Sequence, residues 1–280
     1  MKRWTTQAVL IGLGTLAMCP PFAGAQTPAA PQVTPPAGTA PVIAPPDPTK
    51  VVPVSSSDPL ELLKQAGDEI KLSDEKLITR WAHAQATASI RLGPQVSSRS
   101  VGRLRFQTED GLPEVYPVLA ARRDSAGRNW LQVRVPRRPN GRIGWVLDEM
   151  LSSSLYIVQT QLVVDRGKLR ATLYKKGKQI WSARVGIGKS GTPTPQGQFW
   201  IRERLKGLGN GTTYGPWAFG TSAYSNLSDW PGGGVVGIHG TNQPGLIPGR
   251  PSHGCIRVRN GPIRQLARLM PIGTPVSIIN

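Results

Sequence analysis

Apolar positions along this chain fall into short runs separated by turn residues, with few long helical stripes. From Ala88 to Leu151 the pattern is β-like. Val115-Tyr116-Pro117-Val118-Leu119 is one compact run, Trp130-Leu131-Gln132-Val133-Arg134-Val135 alternates, and Ile143-Gly144-Trp145-Val146 follows. Asp124-Ser125-Ala126-Gly127 and Pro139-Asn140-Gly141 supply turns between them. Short alternating runs at this spacing predict a small all-β module over 84–152. A second β pattern occupies 156–280. Leu162-Val163-Val164, Leu169 to Tyr174, Gln179 to Gly186 and Gln198-Phe199-Trp200-Ile201 read as strands, with Asp165-Arg166-Gly167 and Lys176-Gly177 as turns. Gly232-Gly233-Gly234 precedes a buried strand, Val235-Val236-Gly237-Ile238, that delivers His239. One short helix is predicted from about Pro262 to Leu269, capped by Asn260, and Pro275 to Ile279 closes the chain as a strand. The fold class is mainly β with one short helix.

Upstream the pattern differs. Asp58-Pro59-Leu60-Glu61 has the order of a helix start, with Asp as N-cap, Pro at N1 and Glu at N3. Leu60, Leu63, Ile70, Leu72 and Leu77 give a loose apolar stripe, so 58–83 is predicted as a short helical segment in which His83 packs or lies on the surface. Residues 26–57 are dense in Pro, Ala and Thr and read as an extended linker. Met1-Lys2-Arg3, an apolar run from Ala8 to Met18 and Ala23-Gly24-Ala25 have the layout of an export signal over 1–25, either cleaved or kept as an anchor. The expected location is outside the cytoplasm, in the periplasm or the cell wall.

The formal charge is +18, and removing Lys2 and Arg3 leaves about +16. Most of that charge is arginine, scattered without a concentrated run. No nucleic-acid motif accompanies it, so an anionic cell-wall polymer is the better partner. A monomer is expected.

The chain has two cysteines and three histidines. Cys19 falls in the leader, which leaves Cys255 as the only thiol of the exported protein. A lone exported thiol cannot form an internal disulfide, so its retention points to chemistry. His239 and His253 lie near it, and a thiol beside an imidazole is the signature of a covalent nucleophile with its base. No Asp or Glu follows Asp229, while Arg250, Arg257, Arg259, Arg264 and Arg268 do. That field is expected to favour a thiolate and an anionic substrate. No carboxylate is local to orient the base, so either a distant one folds in or a backbone carbonyl near Gly240 holds the ring. The N–H groups of Gly254 and Cys255 are placed to face an oxyanion. Two other chemistries use the same residues. His239, His253 and Cys255 match the catalytic count of zinc ligands, but His-x-Cys makes joint coordination difficult and no carboxylate base is nearby. A papain-like hydrolase requires the cysteine to precede the histidine, and here His239 comes first.

The segment from Tyr156 to Asn280 resembles YkuD-type L,D-transpeptidases. The resemblance is carried by Gly191-Thr192-Pro193-Thr194-Pro195-Gln196-Gly197-Gln198-Phe199, by His239-Gly240-Thr241-Asn242, and by Ser252-His253-Gly254-Cys255-Ile256-Arg257. It implies a β-sandwich or barrel catalytic domain that needs no cofactor or metal and acts on peptidoglycan stem peptides. Cys255 is implied to attack the bond after the third stem residue, release the terminal D-alanine, and pass the acyl group to an amine, giving a 3→3 cross-link. His239 matches the base, and His253 and Gly254 complete the catalytic motif. Ser252, Arg257, Gly240, Thr241 and Asn242 are implied to shape the loop or contact substrate, and carbapenems to acylate the thiol. Tyr214, Trp217 and Tyr224 are candidates for the groove. Separately, Gly141-Arg142-Ile143-Gly144-Trp145-Val146 resembles the end of a bacterial SH3-like barrel, which implies a wall-binding or positioning module over 84–152. Two further readings stay open: an L,D-carboxypeptidase, with water as acceptor, and a wall-binding protein with a relict site.

Overall fold

The computed structural model describes residues 69–280, except 208 and 230. The leader expected over 1–25, the linker over 26–57 and the start of the expected helical segment, 58–68, lie outside the described residues.

The first sheet contains β1 (Ile70–Lys71), β2 (Thr79–Ala82), β3 (Ser89–Arg91), β4 (Ser100–Arg103), β5 (Tyr116–Arg123), β6 (Asn129–Arg134), β7 (Ile143–Leu147) and β8 (Tyr156–Val158). Its order is β4-β3-β7-β6-β5-β2-β8, with β1 beside β5. The all-β pattern expected here holds, but the sheet is wider than 84–152. The helical segment expected through His83 is overturned over its described part, because 70–71 and 79–82 are strands. Asp74 sets the turn between them: its Oδ1 accepts from the N–H groups of Lys76, Leu77 and Ile78 at 2.9, 2.8 and 2.9 Å. An aspartate that offers the backbone this alternative competes with a helix. His83 packs: its ring meets Trp81 edge-on and its Nδ1 lies 2.7 Å from the Glu114 carbonyl. At the other end, Tyr156–Val158 was expected to begin the second domain. It pairs instead with β2, Thr79 opposite Val158.

The second sheet contains β9 (Thr160–Asp165), β10 (Arg170–Lys175), β11 (Lys178–Gly188), β12 (Gly197–Trp200), β13 (Leu205–Lys206), β14 (Trp217–Tyr224), β15 (Val235–His239), β16 (Gly249–Ser252), β17 (Ile256–Val258) and β18 (Pro275–Ile279). Its order is β12-β18-β9-β10-β11-β17-β15-β14-β13, with β16 beside β11. β9 alternates buried and half-buried positions, the period of a strand with one face on a core. That core takes Leu162, Leu173, Val185, Phe219, Ile238 and Ile256 from the strands. Helix α1 (Asn260–Leu269) adds Ile263, Leu266 and Ala267, three residues at the i, i+3, i+4 spacing of one face. The helix starts two residues before Pro262, and Asn260 does not cap it, since its side chain is used elsewhere.

The two sheets meet through a buried seam. Trp81, Val115, Val158 and Trp200 cluster there, and the Trp200 indole N–H donates to the Val115 carbonyl at 2.8 Å. Beside them the Arg202 guanidinium grips the fully buried Glu114 through two nitrogens and donates to Glu109 at 2.8 Å. Burial alone would raise the Glu109 carboxyl; Arg202 and the Tyr224 hydroxyl hold it down at about 2. Removing one member of such a set leaves a buried charge unmatched. Arg202→Ala is therefore expected to cost about 3–5 kcal/mol, read by urea unfolding. A loss below about 1 kcal/mol, the size of an exposed ion pair, would contradict a buried seam.

Candidate active site

Strand β15 runs between β14 and β17, parallel to β17, with Ile238 opposite Ile256 and His239 opposite Arg257. Both isoleucines are fully buried, which pins the register, because a one-residue slip of β15 would turn Ile238 outward. One position earlier, Gly237 sits beside Cys255. Successive side chains alternate across a sheet, so His239, Cys255 and Arg257 emerge on one face. They line one cleft with Thr213, Tyr214 and Ser225.

The Gly237 N–H points at the Cys255 sulfur at 3.4 Å. A methyl group built on Gly237 would lie 3.6 Å from His239 Cδ2 and 3.8 Å from Cys255 Sγ, so the ring and the thiol flank the same point. His239 is 2% exposed, and its Nδ1 lies 2.6 Å from the Gly240 carbonyl. A carbonyl only accepts, so Nδ1 carries the proton and Nε2 is left as the basic nitrogen. Tyr214 covers the ring edge-on at 4.9 Å. The expected role of a carbonyl at Gly240 is what the geometry shows.

Burial sets the electrostatics. It lowers His239 to about 4, against the smaller pull of the Gly240 carbonyl. It raises the Cys255 thiol, against the Gly237 N–H and the Arg257 guanidinium. The arginine field was expected to favour a thiolate, and Arg257 does pull the thiol down. Desolvation of the sulfur outweighs that pull. The resting pair is a neutral thiol beside a neutral imidazole. His253 is also lowered, first by what burial it has, then by Lys189 and Arg257.

The loop before the thiol is held from below. Ser252 is 2% exposed; its hydroxyl donates to the Cys255 carbonyl at 2.6 Å and accepts from the Gly254 N–H at 3.2 Å. That commits the Gly254 N–H, so it does not serve as the expected oxyanion donor. Gly254 has φ +125°, and a methyl group there would come within 3.0 Å of Ser225 Cβ, so only glycine fits. The Thr194 hydroxyl donates to the Gly254 carbonyl at 2.7 Å and accepts from the Gly188 N–H at 2.9 Å. The Thr192-Pro193-Thr194 motif thus lies against β11 and braces the nucleophile loop.

Of the expected substrate residues, Tyr214 and Arg257 line the cleft, and Arg257 donates to Gln243 Oε1 at 3.0 Å. Ser252 also borders it, but with its hydroxyl spent on the loop. Thr241 is buried, its N–H donating to Asn260 Oδ1 at 2.9 Å, so it holds the loop after His239. Gly240 packs under that loop against Pro216 and Asn260, and Asn242 is exposed beyond it. Trp217 does not reach the cleft; it lies against the core under the Arg204 guanidinium. Tyr224 points into the seam, its hydroxyl donating to Glu109 at 2.6 Å. The sequence did not mark Thr213 and Ser225 as cleft residues or Gly237 as the N–H partner of the thiol, and Asn260 was expected as a helix cap. No local pattern marks the first three. Among the described residues, no three His, Cys, Asp or Glu side chains are grouped to hold a metal.

A family model for the L,D-transpeptidase catalytic domain, YkuD, matches residues 159–278. The YkuD protein of Bacillus subtilis is 34% identical over 123 residues, 44% of this chain and 68% of that protein. That of Bacillus licheniformis is 38% identical over 106 residues, 38% of this chain and 57% of its own length. A crystal structure of an Enterococcus faecium L,D-transpeptidase mutant shares 29% identity over 43% of this chain and 49% of its own, at a TM-score of 0.34. The chain belongs to the YkuD family of L,D-transpeptidase catalytic domains. The match begins at residue 159, where the second sheet begins, so the first sheet lies outside it.

The neutral resting pair is tested by alkylation. Iodoacetamide modification of Cys255, followed by peptide mapping, is expected to rise to a midpoint above the ordinary thiol value of about 8.5. Arg257→Ala is expected to move the midpoint higher still, since Arg257 favours the anion. A midpoint below pH 7 would instead mean a resting thiolate–imidazolium pair.

Proposed function

We propose that the protein is an exported peptidoglycan L,D-transpeptidase that works through an acyl-enzyme on Cys255. The observation that carries this reading is the shared cleft of a thiol and an imidazole whose Nδ1 is locked on Gly240, leaving Nε2 as a base. His239 Nε2 takes the thiol proton as sulfur attacks the carbonyl after the third residue of a tetrapeptide stem. The tetrahedral intermediate then expels D-alanine, which leaves with the proton from His239. An amine of a second stem attacks the thioester, gives its proton back to the base, and leaves with the acyl group as a 3→3 cross-link, restoring the thiol.

Arg257 sits where an anionic stem carboxylate would approach, and the absence of acid after Asp229 keeps that side of the cleft positive. The acceptor decides between transferase and carboxypeptidase, and both share the same acyl-enzyme. The first sheet, with its SH3-like ending, is proposed as a positioning module, and the excess arginine as an attraction to an anionic wall polymer.

Incubation with tetrapeptide muropeptides, read by mass spectrometry, is expected to give cross-linked dimers with loss of D-alanine. Tripeptides alone would make it a carboxypeptidase, and unchanged substrate would leave a wall-binding protein. Cys255→Ser is expected to abolish product, because a serine hydroxyl has too high a pKa for this base to activate. His239→Ala is expected to lose about 10²–10⁴-fold, more than His253→Ala. Most of the wild-type activity surviving in a folded Cys255→Ser variant would exclude the thioester. A carbapenem is expected to add once, on Cys255, faster at low salt; an adduct that persists in Cys255→Ala would place it elsewhere.

A further inference from the structure

One wall of the cleft is held by the first sheet. Ser225 lines the cleft and packs against Gly254, whose left-handed backbone aims the nucleophile. Ser225 belongs to 224–227, the segment that leaves β14, where the register with β15 is irregular between Gly220 and Tyr224. The ladder resumes at Tyr224, opposite Val235, and the segment beyond is held within that sheet by the Ser225 N–H on the Gly234 carbonyl at 2.8 Å and the Asn226 amide on the Gly191 carbonyl at 3.0 Å.

Besides the Tyr224 hydroxyl on Glu109, further anchors come from the turn between β6 and β7. Arg138 Nη2 donates to the Ser225 carbonyl at 2.9 Å and to the Leu227 carbonyl at 3.0 Å. Its guanidinium also lies over the Tyr224 ring at 5.0 Å. Asn140 reads Tyr224 at two points, its Nδ2 donating to the carbonyl at 2.9 Å and its Oδ1 accepting the N–H at 3.0 Å. This is the pairing a neighbouring strand would supply. An ordinary hairpin turn would leave both side chains to solvent.

We infer that Arg138 and Asn140 are positioning residues for the Cys255 site, acting through Tyr224–Leu227 on Ser225 and Gly254. The first sheet then completes the active site rather than only tethering it. The titratable and charged groups that line the cleft with the thiol are His239 from β15, Tyr214 from the loop before β14, His253 from the nucleophile loop and Arg257 on β17. None of them belongs to the latch, so the latch acts by geometry and by excluding water. Its loss should have opposite effects on two reactions. Water beside the sulfur restores solvation of the anion, so a small alkylating reagent reacts faster near neutral pH. A donor that must be aligned with thiol and base reacts more slowly.

The test uses the full chain with Asn140→Ala, Arg138→Ala and Arg138→Lys, and maps modification to the Cys255 peptide. Each alanine variant is expected to shift the iodoacetamide midpoint down and to raise the rate at pH 7.5 about threefold or more. On a tetrapeptide donor, kcat is expected to fall about ten- to a hundredfold, with a much smaller change in KM. Arg138→Lys keeps the charge but cannot grip two carbonyls, so it is expected to recover only part of the loss. Folded alanine variants with a wild-type alkylation profile and kcat would overturn the inference, as would full recovery by Arg138→Lys. If Arg138→Ala does not fold, the neutral Asn140→Ala decides the outcome, with hydrogen exchange at the Tyr224 amide expected to accelerate. The turnover arm rests on the proposed transferase reading and the alkylation arm does not. A wild-type protein inert toward muropeptides would sink that reading while the alkylation profiles still judged the latch.

Discussion

Parallel pairing of β15 with β17 brings the thiol to the imidazole, and most of the second sheet exists to hold that pairing. The two strands are far apart in sequence and run the same way, so a long connection must pass between them. That connection contains the His239 loop, β16 and the nucleophile loop, and each piece is tied down. Asn260, at the start of α1, holds Thr241, Thr194 holds Gly254, and Ser252 closes on Cys255. Slipping β15 by one against β17 would put His239 and Cys255 on opposite faces and turn Ile238 out of the core. Fold stability and site geometry therefore depend on the same contacts.

Burial is the second constraint, and it works against the charge pattern of the chain. A surplus of arginine suggests a ready thiolate, yet sulfur and imidazole both sit where ions are poorly solvated. A neutral thiol is also slow to oxidise, because the thiolate is the reactive form. Arg257 is left to reduce the cost of the anion when it forms.

The strands of the second sheet were legible where short apolar runs are bounded by turn residues, as in Leu162-Val163-Val164 and Val235 to Ile238. The site was legible because His239, His253 and Cys255 are rare residues in a compact motif. Trp217–Tyr224 was not, since Gly220, Thr221 and Ser222 interrupt its apolar pattern although all three are buried. Ile70 to Ala82 misled because leucines at helix-like spacing said nothing of the Asp74 turn. Asn260 reads equally well as a cap or as a loop brace, and only the position of Thr241 decides. Ser225, Arg138 and Asn140 meet near Cys255 through tertiary contacts alone, which no local pattern encodes.

At the centre of the site a neutral imidazole, protonated on Nδ1, sits next to a neutral thiol. Nitrogen-15 NMR of histidine-labelled protein reads that state directly, with His239→Ala assigning the signal. The expected result at pH 7 is one neutral tautomer with the proton on Nδ1, persisting on acidification until about pH 4. An imidazolium at pH 7 with both nitrogens protonated, or a neutral ring carrying its proton on Nε2, would contradict it.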